Sequence, residues 1–115
     1  MKQNYELRRG DTWTGIPSLL IRDSNGDPLP SEVVSAEMML RPSFGARKVV
    51  MTFSTADGTI GIEDAGMGWI TIPPRLMDVP AGIYYYDLQV TYADGRVLSP
   101  LNGTMTLNQD ATRDA

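Results

Sequence analysis

Apolar and polar residues alternate with a period of two in several stretches, the spacing of a strand with one face in a core and one in solvent. The clearest stretch is 32–41, where Val34, Ala36, Met38 and Leu40 share one face and Ser35, Glu37, Met39 and Arg41 the other. Pro42 ends it, because proline has no N–H to give to a ladder. Residues 48–55 put Val49, Met51 and Phe53 on one face, and 82–92, the longest run, aligns Tyr84, Tyr86, Leu88, Val90 and Tyr92. Shorter pieces at 59–63, 67–72, 97–98 and 103–107 predict further strands, and 12–22 predicts one kinked at Gly15 or Pro17. Residues 74–79, opened by Pro74, predict a helical turn.

Between these runs stand turn residues. Asp57-Gly58 and Asp94-Gly95 predict hairpin turns, since glycine takes positive φ at little cost, and Asn25-Gly26 and Asp64-Ala65-Gly66 mark two more turns. Roughly seven to nine strands at spacings of about 8–12 residues predict an all-β antiparallel sandwich. The 115 residues fit one domain, 1–108, followed by a polar tail, 109–115. The expected core face is Val34, Ala36, Met38, Leu40, Val49, Met51, Phe53, Tyr84, Tyr86, Leu88 and Val90. Val33, Met39, Ile83 and Tyr85 fall on the outward faces and are the candidate docking surface, together with the sheet edges.

Composition narrows the function. There is no cysteine, hence no disulfide or thiolate metal site, and no histidine, the usual general base and commonest metal ligand. The expectation is a non-catalytic protein with no catalytic residues, no cofactor and no metal. The net charge of −4 and the scattered basic residues argue against nucleic acid. The N-terminal residues lack the apolar segment of a signal peptide, and no run approaches the roughly 18 apolar residues of a membrane span. A protein made and kept in a cytoplasm, without membrane contact, is expected.

Local motifs are better explained by structure than by chemistry. Arg9-Gly10-Asp11 spells an integrin-binding tripeptide but leads straight into a strand, so a turn is expected. Asp23-Ser24-Asn25-Gly26-Asp27 begins like a calcium loop, yet Pro28 and Val34 occupy the positions that need Gly and Glu. Glu63-Asp64 reads as solvated charge, and no glycine-rich phosphate cradle is present.

Pro80-Ala81-Gly82-Ile83-Tyr84-Tyr85-Tyr86 resembles the tyrosine corner of immunoglobulin-like sandwiches, in which Tyr84 would send its hydroxyl back to the backbone before the strand. Trp69 would then be a core aromatic. The alternative use of the aromatics is a sugar-stacking platform of Tyr85 and Trp13.

Two longer stretches carry a family resemblance. Arg9-Gly10-Asp11-Thr12 is followed by Ile21-Arg22-Asp23-Ser24-Asn25-Gly26-Asp27-Pro28-Leu29. Gly68-Trp69-Ile70-Thr71-Ile72-Pro73 is followed by Pro80 through Val90, then Asp94-Gly95 and Gly103-Thr104. Together they resemble small tail-associated virion proteins of bacteriophages and prophages, and are similar to the N-terminal domain of the siphophage upper baseplate protein. Pro30-Ser31-Glu32-Val33 departs from the family pattern. The resemblance implies an immunoglobulin-like sandwich that attaches tail, baseplate or fibre components, with other virion proteins or further copies of itself as partners, in a virion assembled in the host cytoplasm. A carbohydrate- or receptor-binding module, with a glycan as partner, is the alternative.

Overall fold

The alternation of 82–92 becomes a strand whose every second side chain, from Tyr84 to Tyr92, is buried. In the computed structural model, which describes residues 2–22, 25–27, 29, 31–42 and 47–108, this strand is the centre of a five-stranded sheet. The described residues form ten strands and no helix. They are β1 (Tyr5–Arg8), β2 (Thr12–Trp13), β3 (Ile16–Leu20), β4 (Val33–Arg41), β5 (Met51–Ser54), β6 (Gly61–Asp64), β7 (Trp69–Ile72), β8 (Arg75–Leu76), β9 (Gly82–Tyr92) and β10 (Val97–Asn108). The larger sheet has the order β1-β10-β9-β4-β5, a second sheet the order β3-β7-β6, and β2 pairs with β8. The expected tail, and Asp23 and Ser24 of the Asp23–Asp27 turn, lie outside the described residues.

Among the described residues all pairings between strands are antiparallel except one. The edge strand β1, which the alternation did not announce, runs parallel to β10 with Tyr5 opposite Met105 and Leu7 opposite Leu107. Its approach needs Gly103, at φ 152°, because a Cβ there would lie 2.0 Å from the Gln3 carbonyl oxygen. The kink expected in 12–22 falls at Gly15, where φ is 74° and a Cβ would lie 2.0 Å from the Ile72 carbonyl. That kink divides the stretch into β2 and β3, which pair in different sheets.

Several expectations are corrected. Asp57-Gly58 has the turn chemistry of a hairpin but joins β5 and β6, which belong to different sheets. The turn is instead an arch between sheets, held by Ile60 N donating to Ser54 O at 3.0 Å and Thr59 N to the Asp57 carboxylate at 2.9 Å. Residues 74–79 are not helical: Arg75 and Leu76 extend as β8 opposite Trp13 and Thr12. The pieces 97–98 and 103–107 are one strand with a bulge, in which Ser99 and Pro100 stand opposite Gln89 alone. A bulge is where a residue without an N–H is tolerated.

The core departs from strict alternation at one place. Val33 pairs with Tyr92 and Ser35 with Thr91, so Val34 is an extra residue in β4. Such a bulge shifts the facing of whatever precedes it. Val33 is therefore 3% exposed and Val34 50% exposed, whereas Ala36, Met38 and Leu40 stay buried as the period demands. Met51, the first residue of the edge strand β5, and Val49, which precedes that strand, are half-buried; Phe53 is buried.

Both sheets and the β2–β8 pair contribute to one buried cluster, from Leu88, Val90, Met105 and Leu107 on one side to Ile21, Ile70 and Ile72 on the other. Each fully buried Leu, Ile or Val contributes about 1.5–3 kcal/mol. A line of rings ties the elements together: Tyr86 to Tyr5 at 6.2 Å, Tyr5 to Trp13 at 5.2 Å and Trp13 to Phe53 at 5.7 Å. The Arg75 guanidinium lies 4.7 Å from the Phe53 ring centre and donates to Thr52 O at 2.6 Å.

Candidate functional site

Because the inward face of β9 is filled by aromatic and aliphatic side chains, its odd positions are turned outward. Ile83 is 55% and Tyr85 37% exposed. The ladder then sets their neighbours: Thr106 stands opposite Ile83, Thr104 and Arg41 flank Tyr85, and Met39 stands opposite Asp87. Met39 is half-buried, and Arg41 Nη2 donates to its sulfur at 3.3 Å while Nη1 donates to the Arg47 carbonyl at 3.0 Å. Glu37, Met39, Arg41, Asp87 and Gln89 line a shallow depression of about 160 Å³ beside Tyr85. The result is a mixed face in the middle of the sheet, with Met39, Ile83 and Tyr85 set among polar cross-strand neighbours.

Three of the four residues singled out from the sequence, Met39, Ile83 and Tyr85, thus meet on this face. Val33 does not: the bulge at Val34 turns it into the core against Tyr92, so it is no part of a docking surface. The pairing of β4 with β9 brings Met39 near Tyr85, a fact of register that neither strand's own pattern contains.

The other singled-out residues serve the scaffold. Tyr84 donates its hydroxyl to the Pro80 carbonyl at 2.5 Å, the back-bond expected before the strand. The Arg9-Gly10-Asp11 segment is a crossing between sheets. Gly10 N donates to Met77 O, Met77 N donates to Asp11 O, and Arg9 binds the Val79 carbonyl at 3.1 Å and lies 3.9 Å from Asp78. Trp13 is 2% exposed, which removes the proposed sugar platform of Tyr85 and Trp13. Trp69, expected in the core, is half-buried at the wall of an open cavity of about 350 Å³ with Ser18, Glu63 and Asp64. The signal was available: Ile70 and Ile72 share a face, so Trp69 must take the other.

Among the described residues no group of three or more His, Cys, Asp or Glu could hold a metal ion. No helix in them is long and apolar enough to cross a membrane. Comparison with known protein families, curated proteins and solved structures finds no match.

Proposed function

We propose that the chain is a docking domain, an immunoglobulin-like sandwich that joins components of a bacteriophage or prophage tail without catalysing a reaction. The observation that carries this reading is that Met39, Ile83 and Tyr85 share the outward face of the five-stranded sheet, apolar and aromatic side chains among polar neighbours, a mixture that protein interfaces use. The sandwich rests on the single core fed by both sheets and on the Tyr84–Pro80 hydrogen bond. The tail context rests on the Arg9–Leu29 and Gly68–Val90 stretches that resemble tail-associated virion proteins.

Ile83→Asp and Tyr85→Asp test the proposal, since both side chains are exposed and their loss leaves the core intact. Wild-type protein should join purified tail components or self-associate in light scattering, and both variants should fold cooperatively yet lose that assembly. A wild-type chain that stays monomeric at every concentration and joins no tail or head component defeats it.

A further inference from the structure

The outer side of the β3-β7-β6 sheet carries a feature that docking through β9 leaves unused. Ile70 and Ile72 of β7 are fully buried, so the pleat presents Trp69 outward. Half-buried Trp69 thus stands on the solvent side of β7, walling a depression with the hydroxyl of Ser18 and the carboxylates of Glu63 and Asp64. The depression, of about 350 Å³, is wide open to solvent.

The lining chemistry selects the ligand. Asp64 is held in place by its own hairpin: its Oδ1 accepts from Met67 N at 3.1 Å and its carbonyl accepts from Gly68 N at 2.9 Å. Glu63 is exposed and makes no ion pair among the described residues. No lysine or arginine is among the lining residues, so an anionic ligand would meet two carboxylates without a counter-charge. A sugar ring uses every group present. Its C–H face stacks on indole, its neighbouring hydroxyls donate charge-assisted bonds to carboxylates, and the Ser18 hydroxyl both donates and accepts. An organic cation would use the ring and the charges but gain nothing from Ser18.

We propose that this cavity binds a neutral pyranose, with Trp69 as the stacking platform, Glu63 and Asp64 as hydroxyl acceptors and Ser18 as the remaining polar contact. An open site of this size gives weak, millimolar binding per ring. It lies on a different sheet from Tyr85, so the two surfaces can be tested separately.

The chain has two tryptophans, Trp13 and Trp69. The two indole N–H signals in a nitrogen–proton NMR spectrum therefore report on a buried ring and on the cavity ring in one experiment. The full chain is titrated with the methyl glycosides of glucose, galactose, N-acetylglucosamine and rhamnose, with a sialic acid glycoside, and with tetramethylammonium chloride. At least one neutral glycoside should shift the Trp69 signal saturably and leave Trp13 in place, while the sialoside has no effect. Glu63→Gln, at an exposed site that cannot unfold the protein, should weaken binding about tenfold, the loss of one charge-assisted bond. Trp69→Ala should abolish it, and Tyr85→Asp should leave it unchanged. The proposal is overturned if no neutral glycoside shifts Trp69, if tetramethylammonium alone does, or if Glu63→Gln binds as well as wild type.

Discussion

The hydroxyl of Tyr86 donates to the carbonyl of Gln3 at 2.6 Å, joining residues 83 apart in the chain. It reaches from β9 beneath β10 to the segment that leads into β1. Gln3 N in turn donates to Asn102 O at 2.8 Å, and Thr104 N donates to the Asn4 side chain at 3.0 Å. The N-terminal edge strand is thus seated by a tyrosine, a glycine and two asparagines, in addition to the packing of its own Tyr5 and Leu7 against the core.

Tyr86→Phe should cost about 0.5–1.5 kcal/mol, the net worth of one hydrogen bond. The loss should be local as well as global. Hydrogen exchange at Tyr5–Arg8 should speed up more than at Leu88 or Val90, which urea denaturation combined with exchange can resolve. Equal acceleration everywhere would mean that the bond does not seat β1.

Gly103→Ala should be far more damaging than Gly58→Ala. Both backbones have positive φ, but an added Cβ meets nothing within 4 Å at Gly58 and the Gln3 carbonyl at 2.0 Å at Gly103. The Gly58 variant should lose roughly 1 kcal/mol from backbone strain alone. The Gly103 variant should lose at least about 2 kcal/mol and release β1, seen as lost exchange protection in residues 5–8.

The valine pair in β4 tests the bulge. Val33→Ala empties a core position and should cost roughly 1–3 kcal/mol. Val34→Ala, at a half-exposed site, should stay within about 0.5 kcal/mol. Strict alternation along 32–41 makes the opposite forecast, so thermal melts of the two variants separate the two registers.

Stability should fall in alkali. Burial pushes the phenols of Tyr5, Tyr84, Tyr86 and Tyr92 above their ordinary value of 10.0; at Tyr86 the neighbouring Tyr5 adds to it, and at Tyr84 and Tyr92 a nearby arginine partly offsets it. Above pH 10 the unfolded chain then holds fewer protons than the folded one, so the stability gained from neutral buried phenols is complete below that pH and lost as pH rises through the folded values. Melting temperature should change little on this account up to about pH 9 and drop beyond pH 10. Tyr86→Phe should lessen the drop, and the phenolate absorbance of the wild type should rise late, together with unfolding.

Much of the molecule was legible in one dimension. Period-two alternation fixes which side chains share a face within a strand, and it correctly grouped Tyr84 through Tyr92 and Ala36, Met38 and Leu40. It also turned Met39, Ile83 and Tyr85 outward. Glycine and aspartate at 57–58, 64–66 and 94–95 marked the turns, because local backbone and side-chain chemistry is enough to bend a chain there. Partner choice is a different matter. Asp57-Gly58 and Asp94-Gly95 carry the same turn chemistry, yet Asp94-Gly95 closes the β9–β10 hairpin and Asp57-Gly58 carries the chain from one sheet to the other. A turn sets φ and ψ over a few residues, whereas the sheet a strand joins is set by which apolar face finds a complementary one. The bulge at Val34 follows the same logic. Pairing with Tyr92 and Thr91 decides which of two adjacent valines is buried, and one inserted residue reverses the faces. The parallel seat of β1 depends on Tyr86, 83 residues from Gln3, and on Gly103, farther still along the chain, neither of them in any local window. Only the assembled sheet brings those groups together, so only the tertiary structure could decide it.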